Sequence, residues 1–187
     1  MSKIEGFSAA PGVLVAMPGL EDPHFHRSVV LMIEHDDEGA LGLVINHVIE
    51  HDCADVAATF GLPWPADPAD RLLRGGPVEP PSLWILHADR WQFDETNPVA
   101  PGVAVSRSRE ALTRLCEGGE AQIRLVVGYA GWGPGQLEEE VVSGSWIVAP
   151  VDARLVFEGP SEGVWARALA SLGINPLHLV EIAPAVQ

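Results

Sequence analysis

Apolar residues along the chain fall in short blocks separated by glycine, proline and acidic turns. Residues 13–17 form one block, stopped by Pro18-Gly19, which predicts a strand and a turn. Residues 28–34 form a second strand. Its unbroken, β-branched-rich run from Val29 to Ile33 predicts cover on both faces. A polar loop from His35 to Gly39 leads to a third strand, residues 40–46, so the pair reads as an antiparallel hairpin. With the turn at Asp36 to Gly39, His35 faces Ala40 and Val29 faces Asn46. Arg27, Ser28 and Asn46 then converge at the open end, just after Asp22, while Glu34 and His35 lie by the tip.

Cys53, Val56, Ala57 and Phe60 recur at helical spacing. They predict a helix from Asp52 to Phe60, with Asp52 as N-cap and Gly61 as stop. Residues 62–70 hold three prolines and read as a loop. Residues 71–73 predict a short strand closed by Gly75-Gly76-Pro77. Residues 83–87 predict another strand, 87–101 an irregular stretch and 103–105 a small strand. Ser106 or Ser108 caps a helix to Glu117, with Ala111, Leu112, Leu115 and Cys116 as its stripe. A strand over 123–129, a glycine-rich loop over 131–135, a helix over 136–142 and a strand over 145–148 follow. Residues 155–157 predict a last short strand. Ser161 then caps a final helix with Trp165, Leu169 and Leu172 on one face and Gly173 as stop. Hairpins interspersed with helices, with no repeat and no shift in composition, predict one α+β domain over residues 1–187.

Composition narrows the partners. The 187 residues carry 26 acidic against 11 basic side chains, a formal charge of −15. Nucleic-acid affinity comes largely from Lys and Arg neutralising phosphates, so no direct nucleic-acid contact is expected. Arg107, Arg109 and Arg114 are the densest basic group, and Glu110, Glu117 and Glu120 interrupt them. No apolar run approaches the ~18 residues of a membrane helix, so no membrane partner is expected. Residues 1–6 lack the apolar core of a leader, and Cys53 and Cys116 are too few for a disulfide framework. A cytoplasmic location is therefore expected.

Several constellations could carry chemistry. Arg27, Ser28 and Asn46 suggest a small polar site at a strand end, in which the Arg27 fork suits a carboxylate or phosphate. The structural alternative pairs Arg27 with Asp22 and leaves Asn46 to end the strand. Ser28 and His35 cannot form a nucleophile–base pair, because seven residues of strand span roughly 23 Å. Glu34 and His35 are weak candidates for a catalytic base, and the chain holds no G-x-S-x-G elbow. His24 with His26, and His47 with His51, Asp52 and Cys53, offer metal-ligand types without a recognised spacing; no metal and no cofactor is assigned. Residues 128–140, GYAGWGPGQLEEE, have the strand–glycine loop–helix layout of a phosphate cradle. No Lys lies nearby, and the acidic first turn opposes an anion. Gly128, Gly131 and Gly135 therefore read as a tight packing junction, with Tyr129, Trp132 and Gln136 as candidate walls of a pocket. His87, at a strand end after Gly75-Gly76-Pro77, could bind or titrate.

Taken in order, these segments resemble the AlgH/YqgE family of small bacterial proteins. The resemblance runs from about Gly12 to Leu179. It rests on PGL-x-D-x-x-F (18–25), RSVVLMIEH (27–35), GALGLVIN (39–46), GGPV (75–78), Leu86-His87, residues 128–140 and W-x-x-x-P (146–150). It implies one α+β domain with a bent, barrel-like sheet flanked by helices, in a cytoplasmic protein. Some members carry the label of transcriptional regulator, and the family implies no particular enzyme chemistry. The chain departs from the family after Asn46, where a basic residue and proline are usual and His47-Val48 stands here. The expected function is accordingly a non-enzymatic binding or regulatory role toward an unknown small molecule or protein partner. The residues singled out are Asp22, Arg27, Ser28, Asn46, His87, Tyr129, Trp132 and Gln136. The runner-up is a hydrolase using Glu34 or His35, and a third reading is a transcriptional regulator, whose direct DNA binding the −15 charge opposes.

Overall fold

The computed structural model describes residues 7–175; residues 1–6 and 176–187, with the expected end of the core at Leu179, lie outside them. Strands β1 (Gly12–Ala16), β2 (Val29–Asp36) and β3 (Gly39–Val44) run antiparallel side by side. Val29 to Met32 are completely buried, as their unbroken apolar run requires. Val29 and Leu31 enter one core cluster with Val13, Val15 and Trp165. Val30 and Met32 enter a second, with Leu14, Trp132 and Trp146. Burying each such side chain contributes roughly 1.5–3 kcal/mol, so β2 anchors both layers.

The hairpin register holds at its tip, with His35 opposite Ala40 and Asp36 opposite Gly39. It then slips by one at a bulge between Met32 and Glu34, so that Val30 faces Val44. Val29 therefore does not sit across from Asn46. The half-buried Ile33 is the extra residue, and an apolar residue in an apolar run gives no sign of a bulge.

The sheet curls around β9 (Ile123–Trp132), giving a bent, half-barrel α+β domain. The path runs β10-β1-β2-β3-β9-β6-β8-β7, where β6 is Val78–His87, β7 Asn97–Ala100, β8 Val103–Ser106 and β10 Trp146–Ala149. Strands β4 (Val48–Asp52) and β5 (Arg71–Arg74) attach through a parallel β5–β9 pair. The glycine motifs make this junction possible. Gly75 N–H donates to Val127 O (2.8 Å), and Gly75 O accepts from Val44 N–H (2.9 Å). A Cβ on Gly75 would overlap the Gly128 carbonyl, and one on Gly76 would overlap the Tyr129 backbone. Gly76 and Gly128 also take φ of +154° and +70°. Pro77 follows on the exposed side, Gly131 has ordinary space, and Gly135 (φ +77°) is the N-cap of a helix.

Five α-helices flank the sheet in the described residues: α1 (Cys53–Thr59), α2 (Arg109–Glu117), α3 (Gln136–Val142), α4 (Ala153–Phe157) and α5 (Val164–Ser171). Ser108, not Ser106, caps α2, accepting from Ala111 N–H. Residues 155–157 are helical rather than extended. Asp152 caps their helix through Arg154 N–H, and three apolar residues carry no period that separates helix from strand. Ser161 opens a 3-10 turn, and Gly163 stands at the N-cap of α5. Strands β4 and β7 appear where no strand was expected. β4 exposes three of its five residues and β7 two of its four, and Pro98 marks β7 as an edge. β9 likewise continues through Gly131 and Trp132 instead of ending at Tyr129.

Candidate functional site

Asn46 follows β3 and ties the open end of the hairpin. Its Oδ1 accepts from Val29 N–H (2.8 Å), and its Nδ2 donates to Arg27 O (2.9 Å). Ser28 is fully buried, and its hydroxyl donates to Phe25 O (2.8 Å). Between them Arg27 takes φ +50°, and its guanidinium lies 5.3 Å from the Trp165 ring centre. Asp22 Oδ1 accepts from His24 N–H (2.8 Å) in a local turn. No Asp22–Arg27 ion pair is present among the described residues.

Beside this clamp lies a cavity of about 500 Å³ lined by Asn46, His47, Val48, Arg74 and Glu162. Arg74 reaches it because β4 and β5 pair, and Arg74 N–H donates to His47 O (2.8 Å). His47 Nε2 lies 3.2 Å from His26 O. A carbonyl only accepts, so Nε2 carries the proton and Nδ1 is left as an acceptor. Burial lowers the His47 pKa; the His26 carbonyl opposes the shift, and the nearby Arg74 and His26 charges add to it.

Arg74 is unusual in this chain. All ten arginines fall within the described residues. Arg71, Arg90, Arg114, Arg124 and Arg154 pair with carboxylates. Arg167 donates to the Glu158 and Pro160 carbonyls, while Arg27, Arg107 and Arg109 lie over aromatic rings. Among the described residues, the Arg74 guanidinium alone has no such partner. A second cavity, of about 410 Å³, contains Arg154 and Arg167, whose guanidinium groups are held by Asp152 and by the two carbonyls.

The other singled-out residues lie elsewhere. Gln136 Oε1 accepts from Gly133 N–H (3.0 Å), and Nε2 donates to Glu140 Oε1 (2.9 Å). Glu140 Oε2 accepts from the indoles of Trp132 (2.9 Å) and Trp146 (2.8 Å), and Phe25 stacks on Trp132. This cluster closes one end of the core. Tyr129 meets Trp84 edge-on.

His87 is fully buried. Its Nδ1–H donates to Ala88 O (2.9 Å), so its Nε2 accepts from the Ser106 hydroxyl (2.9 Å). A hydroxyl donating to a neutral imidazole is the bond of a nucleophile–base pair. Here both residues are at most 1% exposed, so no reacting group reaches them. Burial lowers the His87 pKa against the raising effects of the Ala88 carbonyl and of Glu120 and Asp89.

Glu34 is exposed at the hairpin. His35 also lies by the tip, opposite Ala40, but its ring is only 2% exposed. Nδ1 accepts from Ala9 N–H (2.9 Å), which puts the proton on Nε2, 3.4 Å from Glu138 Oε1. Among the described residues, no three His, Cys, Asp or Glu side chains converge on a metal position. Cys53 is buried, and burial with the Asp70 charge pushes its thiol up to about 12. Sequence reasoning did not single out Arg74 or Glu162, and it weighed His47 only as a metal ligand. No local motif marks them, because strand pairing and the α5 approach bring them together.

A family model described as AlgH-like matches residues 13–177. A UPF0301 protein of Caulobacter vibrioides is 40% identical over 172 residues, covering 89% of this chain and 88% of the relative. One from Myxococcus xanthus is 40% identical, covering 91% and 94%. The solution structure of the AlgH protein from Pseudomonas aeruginosa superposes with a TM-score of 0.74 at 30% identity over the whole of both chains. The crystal structure of protein DIP2367 from Corynebacterium diphtheriae does so with 0.77 at 26%, over 96% and 92%.

Proposed function

For this chain, which belongs to the AlgH-like family, we propose a binding role in which a small molecule presents an anionic group to Arg74 in the Asn46 cavity. The observation that carries it is the Arg74 guanidinium, without a carboxylate, carbonyl or ring partner among the described residues, in a chain where acids outnumber bases 26 to 11. A surface with that excess normally pairs its cations. An exposed arginine kept apart from the surrounding carboxylates is preorganised for a carboxylate or phosphate from outside. Asn46 fixes the frame rather than the ligand, since its Oδ1 and one Nδ2 hydrogen hold backbone.

Regulation through such a ligand needs no nucleic-acid contact, and the −15 charge favours a reading without one. Two free buried thiols suit a reducing cytoplasm. No helix among the described residues is long and apolar enough to cross a membrane.

The test is calorimetry and amide NMR on the full chain with succinate and inorganic phosphate as probes. Binding should move the His47, Val48 and Arg74 resonances. Arg74→Ala should weaken it at least tenfold, while Arg107→Ala, which loses only a ring contact, should leave it unchanged. No shift at those residues with either probe, or equal binding by Arg74→Ala, refutes the proposal. In that case a protein partner becomes the next occupant to examine.

A further inference from the structure

The cavity holds a second feature that a simple anion site would not want. Glu162, in the 3-10 turn before α5, lines it together with Arg74, and no ion pair joins the two within 4.0 Å. Among the described residues neither has another charged partner. A plain anion seated on Arg74 would share the cavity with the Glu162 carboxylate, and like charges at short range repel. Two opposite charges held apart in one cavity suit a ligand that carries both.

We infer that the cavity takes an α-amino acid with an apolar side chain, its carboxylate on Arg74 and its ammonium on Glu162. This rests on the reading of the cavity as an anion site and specifies its ligand. Arg74 supplies a planar fork for the carboxylate. Glu162 supplies the counter-charge for the ammonium, and the free Nδ1 of His47 supplies an acceptor for one of its hydrogens. Val48 supplies the apolar wall. At 38% exposure it is one of two large hydrophobic side chains left exposed in the described residues. About 500 Å³ is within the usual size of a small-molecule pocket and admits such a ligand with water.

The experiment compares L-leucine with isovalerate, which lacks the ammonium, and isoamylamine, which lacks the carboxylate. It uses calorimetry and amide NMR on the full chain at neutral pH, with L-phenylalanine and glycine as larger and smaller amino acids. At least one amino acid should bind tenfold or more tighter than either fragment and move the Val48 and Arg74 resonances. Glu162→Gln should bring that amino acid down to the isovalerate level while leaving isovalerate no weaker. Arg74→Ala should weaken both. Both positions are exposed, and an unchanged urea midpoint shows that the variants fold. If isovalerate or succinate binds as well as every amino acid and Glu162→Gln changes nothing, the zwitterion is refuted and the anion site stands. If neither amino acids nor plain anions move these residues, both readings fall.

Discussion

Replacing Asn46 by alanine separates a structural clamp from a ligand-binding side chain. The Asn46 side chain satisfies Val29 N–H at a residue with no solvent exposure, and it also holds Arg27 O. In Asn46→Ala, the Val29 donor loses its partner where water cannot replace it, which costs about 1–3 kcal/mol. The Arg27 carbonyl lies nearer the surface and loses about 0.5–1.5 kcal/mol at most, since solvent compensates. The expected total is about 1.5–4.5 kcal/mol. With a urea m-value of about 2–3 kcal/mol/M, the midpoint should fall by about 0.5–2 M at unchanged m. Gln136→Ala is the matched control. It also removes an amide with two hydrogen bonds, but both are exposed, so the change should stay within about 0.5 kcal/mol. If the two variants lose the same stability, or if Asn46→Ala loses less than about 0.5 kcal/mol, the clamp argument is wrong.

Three further outcomes follow from the packing. His87 and His47 have folded pKa values below the ordinary one, so below about pH 6.5 the unfolded chain binds protons that the fold refuses. Stability should be full well above that pH and fall as the pH drops from about 6.5 to 5.5; a flat urea midpoint across the interval contradicts the burial of His87. Gly76→Ala should cost about 3 kcal/mol or more, because the new Cβ meets the Tyr129 backbone rather than a movable side chain, and soluble yield with circular dichroism reads the loss. Glu120 is buried, accepting from Trp91 Nε1 (2.6 Å) and Gln122 N–H (2.6 Å) and pairing with Arg90. Glu120→Ala should therefore leave both donors without their acceptor and destabilise by about 1–3 kcal/mol in urea unfolding, since the exposed Arg90 is resolvated, and a loss under about 0.5 kcal/mol would contradict that account.

What could be read from the chain is what burial writes into it. The runs at 13–17, 28–34 and 40–46 are apolar because both faces of those strands are covered, so their existence and order were legible. The glycines at 75, 76 and 128 were legible as tight backbone, and the structure shows which backbone they approach. Strands β4 and β7 were not legible, because an edge strand facing solvent needs no apolar pattern and is fixed by its partner instead. The bulge at Ile33 was invisible for the opposite reason: within an apolar run, one residue too many looks like all the others.

The same distinction explains which half of the site could be found. Arg27, Ser28 and Asn46 are near neighbours across one hairpin, so turn geometry alone brought them to the open end, even with the register off by one. Their roles were not legible, since a clamp on Val29 N–H and a contact with a ligand call for the same amide. Arg74 and Glu162 come from a different strand and from the approach to α5, and each reads in sequence as an ordinary surface charge. What sets Arg74 apart is the absence, among the described residues, of the kind of partner that each of the other nine arginines has. That is a property of the folded surface, which no stretch of a chain with net charge −15 spells out locally.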